Sequence, residues 1–441
     1  MKTALTLAAW TALLSGCSLL RVAGVGVDHW KEGEAAYHRK KYDEAAEHYA
    51  AVKPDHAKYQ RAQVGIGRCL WKQDKLDESV TQMLSARRID AATFDGTKRL
   101  VTDLSLLYGA VAAETVAKTG DPIVAVHPQS DGSLLLMSDR GALSAADAQG
   151  NTRWETPLGG RHSGAKAQVA IDGDHAYSVS YDSQASKLLA IKIATGEQTW
   201  THDLGKGWIW STAAAANGTV YAPMYKHVVA LNGTSGEVLW TTETSAKRPE
   251  QLLVAGDAVC AEIGEAVECW SAATGEAQGS YTMPQRTDHG GIVSDGSKLY
   301  VTADNALYAV ELGGGMSLAW KQLIGERASA PTLAADKGLI AISTVKQLRL
   351  FDTATGKPAG EIDKPLVGTG TRIRPARRDG GWLVSSGRAL YSLPDQGGWD
   401  WVASFTGTIT SPPVPVGDKS VLVAASVDRV PAVLDVLGEP W

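Results

Sequence analysis

Two periodicities divide the chain. From Asp28 to about Arg88, apolar residues recur at three- and four-residue spacing, which predicts amphipathic helices. From residue 123 to the C-terminus, short stretches alternate between apolar and polar residues and are separated by Gly, Asp and Asn, which predicts β-strands joined by tight turns. We therefore predict a small N-terminal α-helical domain followed by a mainly β domain.

A single sequence unit repeats through the β part. The stretch ATGEQTW ends at Trp200, TSGEVLW ends at Trp240 and LGEPW ends at Trp441. Aligned in this way, the key positions are 154, 200, 240, 280, 320, 360, 401 and 441, so that eight units fill residues 123–441. Six of these positions hold tryptophan (Trp154, Trp200, Trp240, Trp320, Trp401 and Trp441), and Ser280 and Gly360 occupy the other two.

Each unit has the pattern of four strands. In residues 295–320 a Gly turn, an alternating strand, a two-residue turn, a second strand and another Gly turn precede Trp320, and flanking strands complete the unit. Four-stranded units repeated about an axis predict an eight-bladed β-propeller. The large rings would fill the gaps between neighbouring blades, so the joints at Ser280 and Gly360 should be weaker. We expect residues near Asp121 to Val126 to close the ring.

The helical part contains a shorter repeat, and we assign it residues 28–118. The segments KKYDEAAEHY and DKLDESVTQM align at an offset of 34, which places Gly33 with Gly67 and Tyr49 with Met83. This pattern resembles the tetratricopeptide repeat, in which small residues let paired helices approach closely. A third helical stretch, from Gly96 to about Lys118, is expected to cap the pair. The helices would either form a shallow peptide-binding groove or simply pack on the next domain.

The N-terminus is typical of a secreted chain. A basic start at Met1-Lys2 and an apolar stretch from Thr3 to Leu14 predict a signal peptide over residues 1–16. The segment LSGC resembles the bacterial lipobox, which implies lipidation of Cys17, a lipidated linker over residues 17–27 and anchoring to a membrane without crossing it. Ser18 implies the outer membrane, facing the periplasm, by the sorting rule of enteric bacteria. A chance cysteine after an ordinary signal peptide is the alternative.

Two cysteines flank a predicted hairpin. In CAEIGEAVEC, a two-residue turn at Gly264-Glu265 would place Cys260 opposite Cys269. A cross-strand disulfide is therefore expected in an oxidising compartment, the alternative being two small core residues that face each other. Cys69 is expected to be a buried free thiol.

The charges argue for a protein partner. A net charge of -5 disfavours non-specific nucleic-acid binding, which needs a basic excess. Basic residues nevertheless recur in the segment after each tryptophan strand, where they would form a ring on one face and attract a carboxylate-rich partner. Trp208 and Trp210 lie in one such segment and could anchor that partner; the alternative is a set of solvated loop charges without common purpose. The basic residues of the predicted ring are Arg161, Lys206, Lys247, Arg248, Arg286, Arg327, Arg372 and Arg374.

The repeated phrase resembles the docking motif of the PQQ-type propeller repeat. Its matches are ATGEQTW, TSGEVLW, FDTATGKPAG and LDVLGEPW. With the lipobox and the repeat count, they resemble the BamB family, scaffold lipoproteins of the outer-membrane β-barrel assembly machinery, another lipoprotein of which, BamD, is built of tetratricopeptide repeats.

Quinoprotein dehydrogenases share the blade motif but use an adjacent Cys-Cys pair beside the quinone and carboxylate and amide ligands to Ca²⁺. No two cysteines are adjacent in this chain, and it is shorter than those enzymes. We therefore expect a non-catalytic scaffold that binds partner proteins and needs no metal or cofactor. A scaffold of another envelope complex and a PQQ-dependent oxidoreductase are the alternatives.

Overall fold

The computed structural model describes residues 27–89 and 113–437 with internal gaps. The gaps are residues 160–168, 182–184, 207–211, 246–248, 285–286, 304, 327, 345–346, 364–372, 388, 396–399, 405–407, 417–419 and 428–429. The chain divides into two compact units, Met1–Ile89 and Asp90–Trp441. The predicted signal peptide, Cys17 and most of the linker lie outside the described residues, as does Trp441.

The first unit is helical. Its described helices are α1 (His29–His38), α2 (Tyr42–Ala50), α3 (Tyr59–Lys72) and α4 (Leu76–Ile89). Asp28 caps α1 by accepting a hydrogen bond from the Lys31 N–H. None of the described helices is long and apolar enough to cross a membrane.

The repeat offset of 34 corresponds to two similar helix contacts. Gly33 and Gly65 both lie against the Tyr49 ring, where an added Cβ would come closer than 3.0 Å, and Gly67 lies equally close to Met83. Tyr49 is buried, and its hydroxyl donates a hydrogen bond to Glu34 at 2.5 Å. The glycines therefore permit the close approach of helices that the sequence pattern predicts.

The second unit is a β-propeller, so the prediction of a mainly β propeller is confirmed. Its described residues form eight four-stranded antiparallel sheets, numbered here in chain order by their second strands. Sheet 8 contains β1 (Ala113–Lys118) with β30 (Val414–Val416), β31 (Ser420–Val427) and β32 (Val430–Leu437).

The other seven sheets each use four consecutive strands. They are sheet 1, β2 (Ile123–Pro128), β3 (Leu134–Ser138), β4 (Ala142–Ala146), β5 (Thr152–Pro157); sheet 2, β6 (Ala170–Asp172), β7 (His175–Tyr181), β8 (Ala185–Lys192), β9 (Gln198–Lys206); sheet 3, β10 (Ala214–Ala216), β11 (Thr219–Met224), β12 (His227–Asn232), β13 (Val238–Glu243); sheet 4, β14 (Pro249–Ala255), β15 (Ala258–Ile263), β16 (Ala266–Ser271), β17 (Ala277–Thr282); sheet 5, β18 (Thr287–Ser294), β19 (Lys298–Ala303), β20 (Ala306–Glu311), β21 (Ser317–Leu323); sheet 6, β22 (Thr332–Ala334), β23 (Leu339–Ser343), β24 (Gln347–Asp352), β25 (Pro358–Asp363); and sheet 7, β26 (Ala376–Arg378), β27 (Gly381–Ser386), β28 (Ala389–Pro394), β29 (Asp400–Ser404).

The sheets follow one another around a centre. The first strands of consecutive sheets contact each other from β6 through β10, β14, β18, β22 and β26 to β30, and β30 in turn contacts β2. The middle strands are almost fully buried, whereas the fourth strands β5, β13 and β17 expose alternate residues. The first strands therefore lie at the centre, the fourth strands lie at the rim, and the core consists of the layers between neighbouring sheets.

The closing strand differs from the prediction. Residues 121–126 do not close the ring, since Ile123–Pro128 is the first strand of sheet 1. Instead β1 pairs with β32 from Ala113 opposite Val436 to Lys118 opposite Ala432. The propeller therefore begins before residue 123. The predicted helix from Gly96 to Lys118 is wrong over Ala113–Lys118, which is a strand, and its remainder to residue 112 lies outside the described residues.

Candidate functional site

Four tryptophans hold neighbouring sheets together. Each lies on the fourth strand of its sheet and stacks on a positive-φ glycine in the turn before the fourth strand of the next sheet, where an added Cβ would meet the ring at less than 3.0 Å. Each indole N–H also donates to a carbonyl of that next sheet at 2.8–3.0 Å. The pairs are Trp154 with Gly196, Trp200 with Gly236, Trp240 with Gly275 and Trp320 with Gly356. The Thr-Gly-Glu phrase recurs because only glycine leaves room for the preceding ring. Trp401 lies in β29.

A tyrosine strengthens three of these joints. In sheet 2 the register places Tyr177 opposite Ala190 and Ala190 opposite Trp200, so that the small alanine lets the two rings meet at 5.9 Å between centroids. We call such a set of three residues, paired in register on the second, third and fourth strands, a row. The same row recurs as Tyr221, Ala230 and Trp240 in sheet 3 and as Tyr300, Ala309 and Trp320 in sheet 5. The repeated phrase does not reveal these tyrosines because they lie two strands before the tryptophan, outside the phrase.

Sheet 4 departs from this row. Its register places Cys260 opposite Cys269 and Cys269 opposite Gly279. Cys260 and Cys269 are joined by a disulfide, and both are buried. The tryptophan position is therefore Gly279 rather than Ser280. Gly279 lies four residues after Gly275, just as Trp240 lies four residues after Gly236, so this repeat is one residue shorter than the alignment of the repeats predicts.

Most of the predicted basic ring falls outside the described residues. Arg161, Lys247, Arg248, Arg286, Arg327 and Arg372 lie there, as do Trp208 and Trp210. Lys206 is the last residue of β9 and pairs in register with Ala185. The basic ring thus remains a prediction.

Arg374, a predicted member of the basic ring, is only partly exposed. Its Nη2 atom is buried, has no hydrogen-bond partner among the described residues, and lies 3.1 Å from the position of a Cβ on Gly291. Gln251 approaches the same position, and Gly291 has a φ of +83°. Arg374 precedes β26 of sheet 7 and Gly291 lies in β18 of sheet 5, so this side chain lies beside a strand of a sheet that is not adjacent to its own. Burial lowers the pKa of Arg374, while the charge of Glu262 acts to raise it.

Two titratable groups, Cys69 and His127, have pKa values shifted by burial. Among the described residues there is no cluster of three or more His, Cys, Asp or Glu side chains that could hold a metal ion. Cys69 is buried and unpaired, and burial raises the pKa of its thiol to about 12, so it is mainly protonated at neutral pH. Burial lowers the pKa of His127 in β2. The joints between sheets and the segments that connect the sheets are the candidate functional regions.

Comparison with solved structures gives the same fold. BamB from Moraxella catarrhalis is 16% identical, with a TM-score of 0.58, and the match covers 74% of this chain and 98% of that one. The computationally designed Ika8 protein is 11% identical, with a TM-score of 0.59, covering 75% of this chain and all of that one. At these identities the likeness concerns the fold alone. No curated protein matches the chain.

The sequence family gives more than the fold. The family described as outer membrane protein assembly factor BamB matches residues 65–322, more than half of the chain. The match begins in α3 and runs through β21. The chain therefore belongs to the BamB family of PQQ-type β-propellers.

Proposed function

We propose that this chain is a non-catalytic scaffold that is anchored to the outer membrane, faces the periplasm and holds partner proteins during β-barrel assembly. The observation that carries the proposal is membership of the BamB family. The Trp–Gly stacking between neighbouring sheets supports it, because sheets that are packed firmly on each other hold their connecting segments in fixed positions, where a partner can bind them.

We further infer that the eight sheets are the blades of one closed, eight-bladed propeller. The contact of β30 with β2 and the pairing of β1 with β32 support closure. A buried cluster that contains Ile123 and Val126 of sheet 1 with Leu422 and Val433 of sheet 8 supports it too. A closed ring has no exposed first or last sheet, which suits a long-lived scaffold.

The N-terminal parts have separate proposed roles. Lipidation of Cys17 would anchor the chain, and the helical unit would serve as a tetratricopeptide-like docking module. The matching contacts of Gly33 with Tyr49 and Gly67 with Met83 support the second role, since that repeat relies on such small-residue contacts. The basic segments between sheets would supply a second surface for an acidic partner.

The test is a crosslinked pull-down of the full-length protein from its own membranes, read by mass spectrometry. The native chain is compared with Arg286→Glu/Arg327→Glu, which reverses two predicted ring charges. The matched control is Arg153→Glu/Lys357→Glu, because Arg153 lies on the outer strand β5 and Lys357 lies in an exposed turn beside the rim. The control changes net charge equally but leaves the segments between sheets intact.

We expect the native chain and the control to recover barrel-assembly subunits and the ring variant to lose them. Recovery of none by the native chain would contradict the barrel-assembly role, and equal recovery by both variants would contradict the basic ring. Calcium-dependent alcohol oxidation after addition of PQQ to the purified protein would overturn the non-catalytic assignment.

A further inference from the structure

The joint between sheets 4 and 5 lacks the indole ring that packs between the sheets at four other joints. The tyrosine position of the row is Cys260, the alanine position is Cys269 and the tryptophan position is Gly279. Tyr300, Ala309 and Trp320 occupy the same positions one sheet later. The disulfide therefore replaces the Tyr–Ala pair in a sheet whose outer strand carries no tryptophan.

Without an indole between them, the two backbones meet directly. Gly279 forms an isolated parallel bridge with Gly315, and a Cβ added to Gly279 would lie 2.6 Å from the Gly315 carbonyl carbon. Gly315 ends a glycine stretch, and residues 313–316 all have positive φ, including Met316 at 66°. A side chain at 316 in this backbone region is unfavourable, so the contact leaves this turn strained.

The interior of this joint is rich in sulfur. The buried cluster that links sheets 4 and 5 contains Cys260, Cys269, Met283 and Met316, packed with residues of both sheets such as Val267 and Leu299. The full chain has only six methionines and four cysteines, so four of its ten sulfur-bearing side chains lie in one joint. Neighbouring clusters contain Trp240 at the joint before and Trp320 at the joint after.

We propose that sheet 4 is a redox-sensitive lock of the propeller: the Cys260–Cys269 disulfide joins its strands β15 and β16 on the face that packs against sheet 5, and a dithiol reductant releases it. The reductant transfers two electrons and two protons, the S–S bond breaks to give two thiols, and the dithiol becomes a disulfide. The four joints with a stacked tryptophan keep their indole stacking and hydrogen bonds under the same conditions. Given the periplasmic location proposed above, the lock would close only after export from the reducing cytoplasm.

The expected effect is local. The disulfide closes a loop with a sequence separation of nine residues, so its loss should favour opening of sheet 4 by roughly 50- to 100-fold in the loop-entropy description. Opening of sheets 2 and 3 should be unchanged, because the register rows of Trp200 and Trp240 contain no disulfide.

The test is hydrogen exchange by mass spectrometry on the full chain, with and without dithiothreitol, after alkylation has verified complete reduction. Cys69→Ala is the background, since Cys69 is a further cysteine in the described chain and lies in the other unit. We expect amides of β15, β16 and β19 to exchange roughly 50- to 100-fold faster after reduction and those of β7, β8, β11 and β12 to keep their rates.

Unchanged exchange in β15 and β16, or equal acceleration in all sheets, would overturn the proposal. The variant Cys260→Ala/Cys269→Ala supplies a second measurement. Its amide exchange rates should match those of the reduced native chain and should not change when dithiothreitol is added. If this variant does not fold, the comparison of oxidised with reduced native chain decides alone. The result is independent of the pull-down, so failure of the lock and failure of the scaffold role can be distinguished.

Discussion

Replacing Trp200 with alanine tests whether the ring holds sheets 2 and 3 together. The half-buried indole stacks on Gly236, donates to the Gly233 carbonyl at 2.8 Å and meets the Tyr177 ring. Truncation of a fully buried ring costs about 3 to 5 kcal/mol, so a half-buried one should cost about 2 kcal/mol, and loss of the indole hydrogen bond adds about 1 kcal/mol, which gives about 3 kcal/mol in all. Urea titration followed by tryptophan fluorescence measures the change, because thirteen of the fourteen tryptophans remain.

A double-mutant cycle makes the test specific. Gly236→Ala places a Cβ 2.7 Å from the ring at a φ of +74°, so it should cost the left-handed penalty of about 1–2 kcal/mol and a further cost from the clash. In a Trp200→Ala background the clash disappears and only the backbone penalty remains. We expect a coupling of roughly 1–2 kcal/mol between the two changes.

The control is Leu239→Ala. Leu239 precedes Trp240 on the same rim and is 53% exposed, so its truncation should change stability by no more than about 0.5 kcal/mol. If the costs of Trp200→Ala and Gly236→Ala simply add, the ring does not rest on that glycine, and the explanation of the repeated phrase is refuted.

Three further predictions concern closure, pH and anchoring. Ala117→Asp puts a charge at a position of β1 that is 3% exposed, so it should destabilise the propeller by about 3 kcal/mol in urea titrations; an unchanged midpoint would contradict closure by β1. Burial raises the pKa of Tyr177 to about 12; the unfolded chain then loses this proton first, near pH 10, so stability should fall as pH rises from 10 to 12, and less steeply in Tyr177→Phe. Cys17→Ser should abolish incorporation of radiolabelled palmitate and release the chain from membranes, and persistent labelling would exclude Cys17 as the lipidation site.

The repeat was predictable because the joints constrain single residues. Trp154 and Gly196 belong to different sheets, but the Trp154 ring packs where a Cβ of residue 196 would lie. Because this contact recurs from sheet to sheet, tryptophan and glycine recur at regular intervals in the sequence. The helical unit was predictable for the same reason, because Gly33 and Gly67 are fixed by the rings and side chains packed on them.

Long-range pairing left no comparable trace. The strand β1 is short and follows a stretch with apolar spacing typical of a helix, and its partner β32 lies at the opposite end of the propeller sequence. Periodicity reports how a segment faces its surroundings but not which distant segment pairs with it. Arg374 illustrates the same limit, since its offset in the repeat correctly predicts a loop before sheet 7 but does not show that its Nη2 is buried beside Gly291 of sheet 5.

The pairing of β1 with β32 also imposes an order on biogenesis. Sheets 1 to 7 each consist of consecutive strands and can form as the chain is delivered, whereas the earliest strand must wait for the last one. Until then β1 has no partner in its sheet, and its backbone groups can be recognised by chaperones or captured by a neighbouring chain. A polypeptide truncated before β32 would keep that edge of β1 exposed permanently. An exposed β1 edge therefore distinguishes incomplete chains from chains that have closed the propeller.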